Sequence, residues 1–163
     1  MSGEHSPPDD IAIETASPDD RLDILRVLDA AMLETDTEVV DTAIDASEAL
    51  VARFRRTNAV VGALVATRPE AGRVHVDAVA VRRARRGRGI GSALVAEAVR
   101  CAERDPELTL VAAEFDPKLE DFYTDLGFEV GEGSDPHDTD RLRGRRPIEP
   151  TADDDTRTGE RRR

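Results

Sequence analysis

The sequence predicts a mixed α/β fold, a sheet with helices on its faces, and three observations predict it. Short β-branched runs alternate with segments whose apolar residues recur every three or four positions. Two of the runs, 49–56 and 59–67, are separated only by Thr57-Asn58, the spacing of a hairpin. Finally, Arg86-Gly87-Arg88-Gly89-Ile90-Gly91 stands between a run of valines and a run of helix formers, the order of strand, glycine loop and helix.

Residues 1–10 are polar, hold Pro7-Pro8 and lack periodicity, which predicts a disordered tail. Ile11 to Thr15 is a first strand. Ser17-Pro18-Asp19-Asp20 is a helix start, with Ser17 as cap and Pro18 in the first position. Leu22, Leu25, Val27 and Leu28 carry that helix to Met32, and a second helical piece falls within 37–45. After the hairpin, a turn over 68–72 leads into strand 73–81, and Gly89 to Arg104 is helical, with Ile90, Leu94, Ala98, Cys101 and Ala102 on its apolar stripe. Leu108 to Glu114 is the next strand. Asp116-Pro117 opens a helix to Asp125, and Gly127 ends it in a left-handed conformation. Phe128 to Val130 begins another strand, and 137–145 holds a final one. Residues 147–163 are charged and predicted disordered, which leaves one domain at 11–146.

The glycine-arginine loop is where chemistry enters. The first N–H groups of a helix have no partner within it and lie at the positive end of its dipole. Glycines let an anion approach them. A triphosphate P-loop needs a lysine after its last glycine, and Lys118 is the only lysine. A dinucleotide fingerprint needs Gly-x-Gly-x-x-Gly; counted from Gly87 the third glycine would be Ser92, and from Gly89 it would be Leu94.

The pattern present is Arg-x-x-Gly-x-Gly, from Arg86 through Gly89 to Gly91. It resembles the coenzyme A pyrophosphate loop of the GCN5-related N-acetyltransferase (GNAT) superfamily. Val79-Ala80-Val81 ahead of it resembles that family's cofactor strand, and Phe122-Tyr123-Thr124-Asp125-Leu126-Gly127-Phe128 resembles its Phe-Tyr-x-x-Leu-Gly-Phe segment. The resemblance covers roughly Ile11 to Val130. It implies a mostly antiparallel GNAT-like sheet, splayed between strands 73–81 and 108–114 to admit the pantetheine arm. It implies acetyl-CoA as cofactor and an amine of a small molecule or peptide as acceptor. The backbone of Val79, Ala80 and Val81 would then pair with the pantetheine. Main-chain N–H groups of Arg86, Gly87, Arg88, Gly89, Ile90, Gly91 and Ser92 would hold the pyrophosphate, with charge from Arg86 and Arg88.

Direct acetyl transfer needs a neutral amine, a polarised thioester and a stabilised leaving thiolate. Tyr123, the single tyrosine, stands where the family often has a general acid; the alternative is that its ring only packs with Phe122. Three residues remain open as the general base. Asp77 shares a strand face with His75, Val79 and Val81 and is an unusual residue in a strand, and burial there would favour a base. His75 has a suitable intrinsic pKa, and Glu114 ends the next strand. Where the family often has an asparagine seven residues before the tyrosine, this chain has Asp116, a helix cap candidate. A non-catalytic acyl-CoA-binding or sensing module is the alternative function.

Composition bounds the rest. The 163 residues carry 35 acids against 23 bases, a formal net charge of −12, with aromatics at only 3%. That surface points to a salty cytoplasm of halophile type and argues against nucleic-acid binding. Arg82, Arg83, Arg85, Arg86 and Arg88 form a local basic island against it. No signal peptide or membrane-spanning run is visible and Cys101 is the sole cysteine, expected as a buried structural thiol, so a cytoplasmic location is expected, with no membrane partner. No His/Cys cluster has metal spacing. A homodimer is left open.

Overall fold

The computed structural model describes residues 6–33, 35–132 and 141–148. In chain order it runs β1 (Ile11–Thr15), α1 (Arg21–Ala30), α2 (Thr37–Asp45), β2 (Ala49–Phe54), β3 (Ala59–Glu70), β4 (Arg73–Val81), α3 (Ile90–Glu103), β5 (Leu110–Phe115), α4 (Glu120–Asp125), β6 (Glu129–Glu132) and β7 (Leu142–Pro147). The strands form a seven-stranded sheet in the order β1-β2-β3-β4-β5-β7-β6, with the β1–β2, β2–β3, β5–β7 and β6–β7 pairs antiparallel. This is the mixed, mostly antiparallel α/β architecture that the sequence predicts. The chain divides into two compact units, Met1–Thr67 with Val76–Ala98, and Arg68–His75 with Val99–Arg163.

In the first unit, Ile24, Val27 and Leu28 of α1 and Val40, Ala43 and Ile44 of α2 form one buried cluster with Val51, Ala63, Val65, Ala78 and Ala80 of the sheet. The opposite face takes α3. A Cβ on Gly62 would lie 3.3 Å from Ala52 Cβ, from the Ala80 carbonyl and from Leu94 Cδ1, so this glycine lets helix and sheet approach closely. Ser17 caps a short 3-10 turn (Pro18–Asp20) that leads into α1, with a reciprocal capping box between Ser17 and Asp20. The helix ends at Ala30, two residues before the expected Met32. Met32 instead takes φ 61°, its N–H donates to the Asp29 carbonyl and the Leu33 N–H donates to that of Leu28. This is a Schellman closure made without glycine.

The hairpin also differs from expectation. Its turn is Arg55 to Asn58, four residues rather than two, with Asn58 at φ 68°. Strand β3 runs on through Pro69 to Glu70. β2 accompanies it only as far as Val65, so one edge of β3 has no β2 ladder at Pro69, the setting in which a strand tolerates proline.

In the second unit, β5, β7 and β6 pair in that order. Gly144 of β7 is obligatory for packing, since a Cβ there would fall 2.9 Å from the Phe115 ring. Asp116 Oδ1 accepts from Lys118 N at 3.0 Å, capping a 3-10 turn (Pro117–Leu119) that continues as α4. Gly127, at φ 91°, ends α4 as expected: its N–H donates to Thr124 O and that of Phe128 to Tyr123 O.

The last strand is Leu142–Pro147, later than the expected 137–145, of which 137–140 lies outside the described residues. Ile148 is buried and its N–H donates to Thr109 O, so folded chain extends past the boundary expected at 146. Of the expected tails, residues 1–5 and 149–163 lie outside the described residues; within the first, the Asp10 carbonyl accepts from Arg55 N. Among the described residues, no helix is long and apolar enough to cross a membrane.

Candidate functional site

The glycine loop lies wholly within the first unit. Its first half is tied down. Arg82 N donates to Val61 O at 2.8 Å and Arg82 Nε to Val60 O at 3.2 Å, fixing the end of β4 against the start of β3. A 3-10 turn (Arg83–Arg85) follows, and the Arg85 guanidinium lies 3.9 Å from the centroid of the Phe54 ring, a cation–π contact. Arg86 Nε donates to Val81 O at 3.0 Å, so the arginine at the motif position folds back on the strand it follows. Three of the five arginines of the basic island, Arg82, Arg85 and Arg86, therefore brace the loop. Arg83 and Arg88 are exposed and pair with no described residue.

The second half is open. Gly87 and Gly89 sit at φ 78° and 83°, where any other residue would be strained, and a Cβ on either would meet nothing within 4 Å. Packing therefore does not explain these glycines; the backbone turn does. Helix α3 then begins on Ile90, whose side chain is buried with Ala93, Leu94 and Val95. Its first hydrogen bond runs from Ala93 N to Gly89 O at 3.0 Å. Among the described residues, the six N–H groups from Gly87 to Ser92 meet no acceptor. A rigid base thus carries a row of unpaired donors at the positive end of a helix, which suits a polyphosphate.

Upstream, β4 alternates as the sequence predicts. Val74, Val76, Ala78 and Ala80 are buried, while His75, Val79 and Val81 are half-buried. Asp77 departs from expectation. It is exposed rather than buried, and Thr67 Oγ1 donates to its Oδ2 at 2.7 Å. The burial that was to favour it as a base is absent, because the strand face it shares lies open at that residue. Thr67 is a partner the sequence gave no signal for, since hairpin register decides it. His75 falls in the second unit and Asp77 in the first.

Tyr123, in the second unit, is only 4% exposed. Its ring stacks on Phe115 (centroids 4.1 Å, 15° between planes) and meets Phe122 and Phe128 edge-on at 4.9 and 5.3 Å. The ring packs with Phe122, as one of the two sequence readings expects. Burial pushes the phenol up to about 12, against an opposing effect of the Arg141 guanidinium. At neutral pH Tyr123 keeps its proton, so it can donate one and cannot serve as a base. Glu114 is half-buried on β5, across from Arg143 of β7, and Arg141 Nη2 donates to its carbonyl at 2.7 Å. Cys101 is half-buried rather than buried, with Arg104 Nη2 3.3 Å from its sulfur. Among the described residues, no group of three or more His, Cys, Asp or Glu side chains is placed to hold a metal ion.

A family model described as an acetyltransferase (GNAT) domain matches residues 45–130, which is 86 of the 163. The match contains β4, the whole glycine loop, α3 and Tyr123. No curated protein matches the chain in sequence. Solved structures do match in fold. Ard1 from Thermoplasma volcanium superposes with a TM-score of 0.69 at 18% identity, over 85% of this chain and 98% of that one. PaiA N-acetyltransferase from Thermoplasma acidophilum, solved with coenzyme A, gives 0.68 at 14%, over 85% and 99%. Arabidopsis thaliana Naa50, in complex with the bisubstrate analogue CoA-Ac-MVNAL, gives 0.67 at 20%, over 84% and 98%. At these identities the likeness is one of fold.

Proposed function

The chain belongs to the acetyltransferase (GNAT) family, and we propose that it is an N-acetyltransferase that passes the acetyl group of acetyl-CoA directly to an amine of a small molecule or peptide. The observation that carries this reading is the run of unpaired N–H groups from Gly87 to Ser92, set on a braced loop in open space. These donors fit the pyrophosphate of coenzyme A. The coenzyme A and bisubstrate complexes of the fold neighbours support the same ligand.

Acetyl-CoA would supply an acetyl group already activated as a thioester. This chain's residues would do the rest. The N–H groups of residues 87–92 hold the pyrophosphate, that of Arg86 being taken by the Arg83 carbonyl, and Val79, Ala80 and Val81 offer the strand backbone to the pantetheine amides. Tyr123 Oη–H, still protonated at neutral pH, donates its proton to the departing sulfur. Asp77 takes the proton of the amine through water, which its exposure permits, with His75 and Glu114 as the competing candidates.

The test is a panel of amines and peptides incubated with acetyl-CoA while free thiol is followed. Turnover with any amine supports transfer; binding of coenzyme A with no turnover across the panel favours the non-catalytic binding module. With an acceptor in hand, Tyr123→Phe should lower kcat about 100-fold and leave the KM for acetyl-CoA unchanged. Asp77→Asn should slow the reaction at neutral pH, and higher pH should partly rescue it because the free amine then forms unaided. If His75→Gln loses that acid limb of the pH profile and Asp77→Asn keeps it, the base is His75.

A further inference from the structure

We propose that Thr67 is a positioning residue for acetyl transfer, its hydroxyl holding the Asp77 carboxylate in the orientation from which it takes the proton of the acceptor amine through water. The inference rests on the reading of Asp77 as the base. It starts from a mismatch. The base expected to be buried is exposed, and an aspartate at the surface has no core packing to set the angle of its carboxylate. Thr67 supplies a constraint in its place. Its Oγ1 donates to Asp77 Oδ2 at 2.7 Å, and a hydroxyl has one proton to give.

Both ends of this hydrogen bond stand on fixed backbone within the first unit. Thr67 follows Ala66 in β3, and Ala66 is 2% exposed, with its N–H donating to the Glu48 carbonyl at 3.1 Å. Asp77 lies in β4 between Val76 and Ala78, both buried. Threonine is stiff at its first side-chain torsion, so the strand itself aims the hydroxyl. Thr67 is half-buried where Asp77 is exposed, which puts the donor at the edge of the core and the carboxylate at solvent. A reacting group already held in one geometry has less freedom to lose on reaction, and that is how such a contact speeds a step. In the proton transfer an N–H bond of the acceptor ammonium breaks and leaves its electron pair on nitrogen. The proton goes to a water, which passes one of its own to the carboxylate. The carboxylic acid so formed returns it to solvent, which the exposure of Asp77 permits. Thr67 keeps its own proton throughout. A hydrogen bond that only steadied the pairing of β3 with its neighbour β4 would lower Tm when lost and leave kcat alone.

Thr67→Val keeps the size and the β-branching and removes the donor, so the variant should fold, which circular dichroism checks. With an acceptor in hand it should lower kcat about tenfold and leave the KM for acetyl-CoA unchanged. Thr67→Ser retains the hydroxyl and should restore most of the rate. The loss should also depend on its target: in the Asp77→Asn background, Thr67→Val should change kcat no further. A readout apart from turnover is the carboxyl carbon resonance of Asp77 in nuclear magnetic resonance, identified by its loss in Asp77→Asn. It should move in Thr67→Val and hold its place in Thr67→Ser. An unchanged kcat in Thr67→Val overturns the proposal. So does an equal loss in the wild-type and Asp77→Asn backgrounds, which would place the role of Thr67 elsewhere, and so does a resonance that stays put in Thr67→Val. If Asp77→Asn is itself fully active, the base assignment fails and the proposal falls with it. A resonance that still moves in Thr67→Val then tells that failure apart from a failure of the contact.

Discussion

Two helix starts in the first unit end in opposite states. At α1, the chain closes its own donors. Ser17 N donates to Asp20 Oδ2 at 3.0 Å, Asp20 N donates back to Ser17 O, and Arg53 Nη2 meets Asp20 Oδ1 at 2.9 Å. At α3, six successive N–H groups from Gly87 to Ser92 meet no acceptor among the described residues, and no acid stands in the loop. The difference lies in composition. Serine, proline and aspartate supply acceptors and a fixed φ from within the chain. Glycine and arginine supply neither, and leave room and positive charge for something from outside. A helix start that satisfies itself is a piece of structure, and one that cannot is a request for an anion.

The largest effect separates the two starts by ligand. Coenzyme A at a hundredfold excess over its Kd should stabilise the wild-type chain by about 2.7 kcal/mol, read as a rise in Tm. Gly89→Glu should lose that rise altogether, because a carboxylate would occupy the place of the pyrophosphate. The left-handed φ of residue 89 makes the variant less stable by itself, so the comparison is each protein's Tm with and without ligand. An undiminished rise in Gly89→Glu would remove the anion site from this loop.

The reverse experiment is Asp20→Ala. It should cost about 2 kcal/mol of stability, since it removes a cap and the buried one of the two carboxylates that Arg53 meets, leaving it Glu14 and the Asn58 carbonyl, and lower Tm by roughly 4–8 °C. The ligand-induced rise should be intact. Loss of coenzyme A binding in this variant would mean that the two starts are not independent.

Acid should reproduce part of that loss. Asp20 is only 7% exposed, and burial by itself would hinder its ionisation. The Ser17 N–H and the Arg53 guanidinium outweigh burial and hold the carboxyl below its ordinary value of 3.8. A lowered folded value means that the contribution is present above 3.8 and lost as pH falls through the folded value. The stability gap between wild type and Asp20→Ala should therefore be constant near neutrality and shrink below that point. A gap that persists unchanged in acid would assign it to helix capping alone.

How far these features could be read beforehand follows from what decides each of them. The strand–loop–helix from Arg73 to Glu103 and the helix Thr37–Asp45 were legible because local pattern and tertiary role agree there. So was Gly127, since only the chain's own turn requires it. The end of α1 at Ala30 was not, because Met32 takes a left-handed conformation that its residue type does not announce, and the turn at Arg55–Asn58 was not, because Asn58 tolerates that conformation but does not fix how long the turn is. The extension of β3 through Pro69 depends on where its neighbour stops. In the site, the glycines and Tyr123 could be found from motif spacing. Their surroundings could not: the Thr67–Asp77 hydrogen bond, for one, follows from strand pairing.

The smallest predicted effect distinguishes arginines that brace from arginines that attract. Arg86 donates to Val81 O and Arg85 lies over Phe54, so their guanidinium groups are committed to the loop itself. Arg88 is exposed, stands between the two left-handed glycines and pairs with no described residue. Its charge acts on a ligand through solvent, which limits its value. Arg88→Gln should weaken coenzyme A binding only about two- to threefold, with no change in Tm of the free protein. Salt should erase the difference, because the Debye length falls from about 10 Å at 0.1 M to about 3 Å at 1 M. Arg86→Gln should do the opposite: it should lower Tm, since the Val81 carbonyl loses its donor, and its effect on affinity should survive salt. The measurement is a coenzyme A titration of both variants in dilute buffer and in molar potassium chloride. If the Arg88 effect persists at high salt while that of Arg86 disappears, the assignment of roles is inverted, and the motif arginine is the one that meets the phosphate.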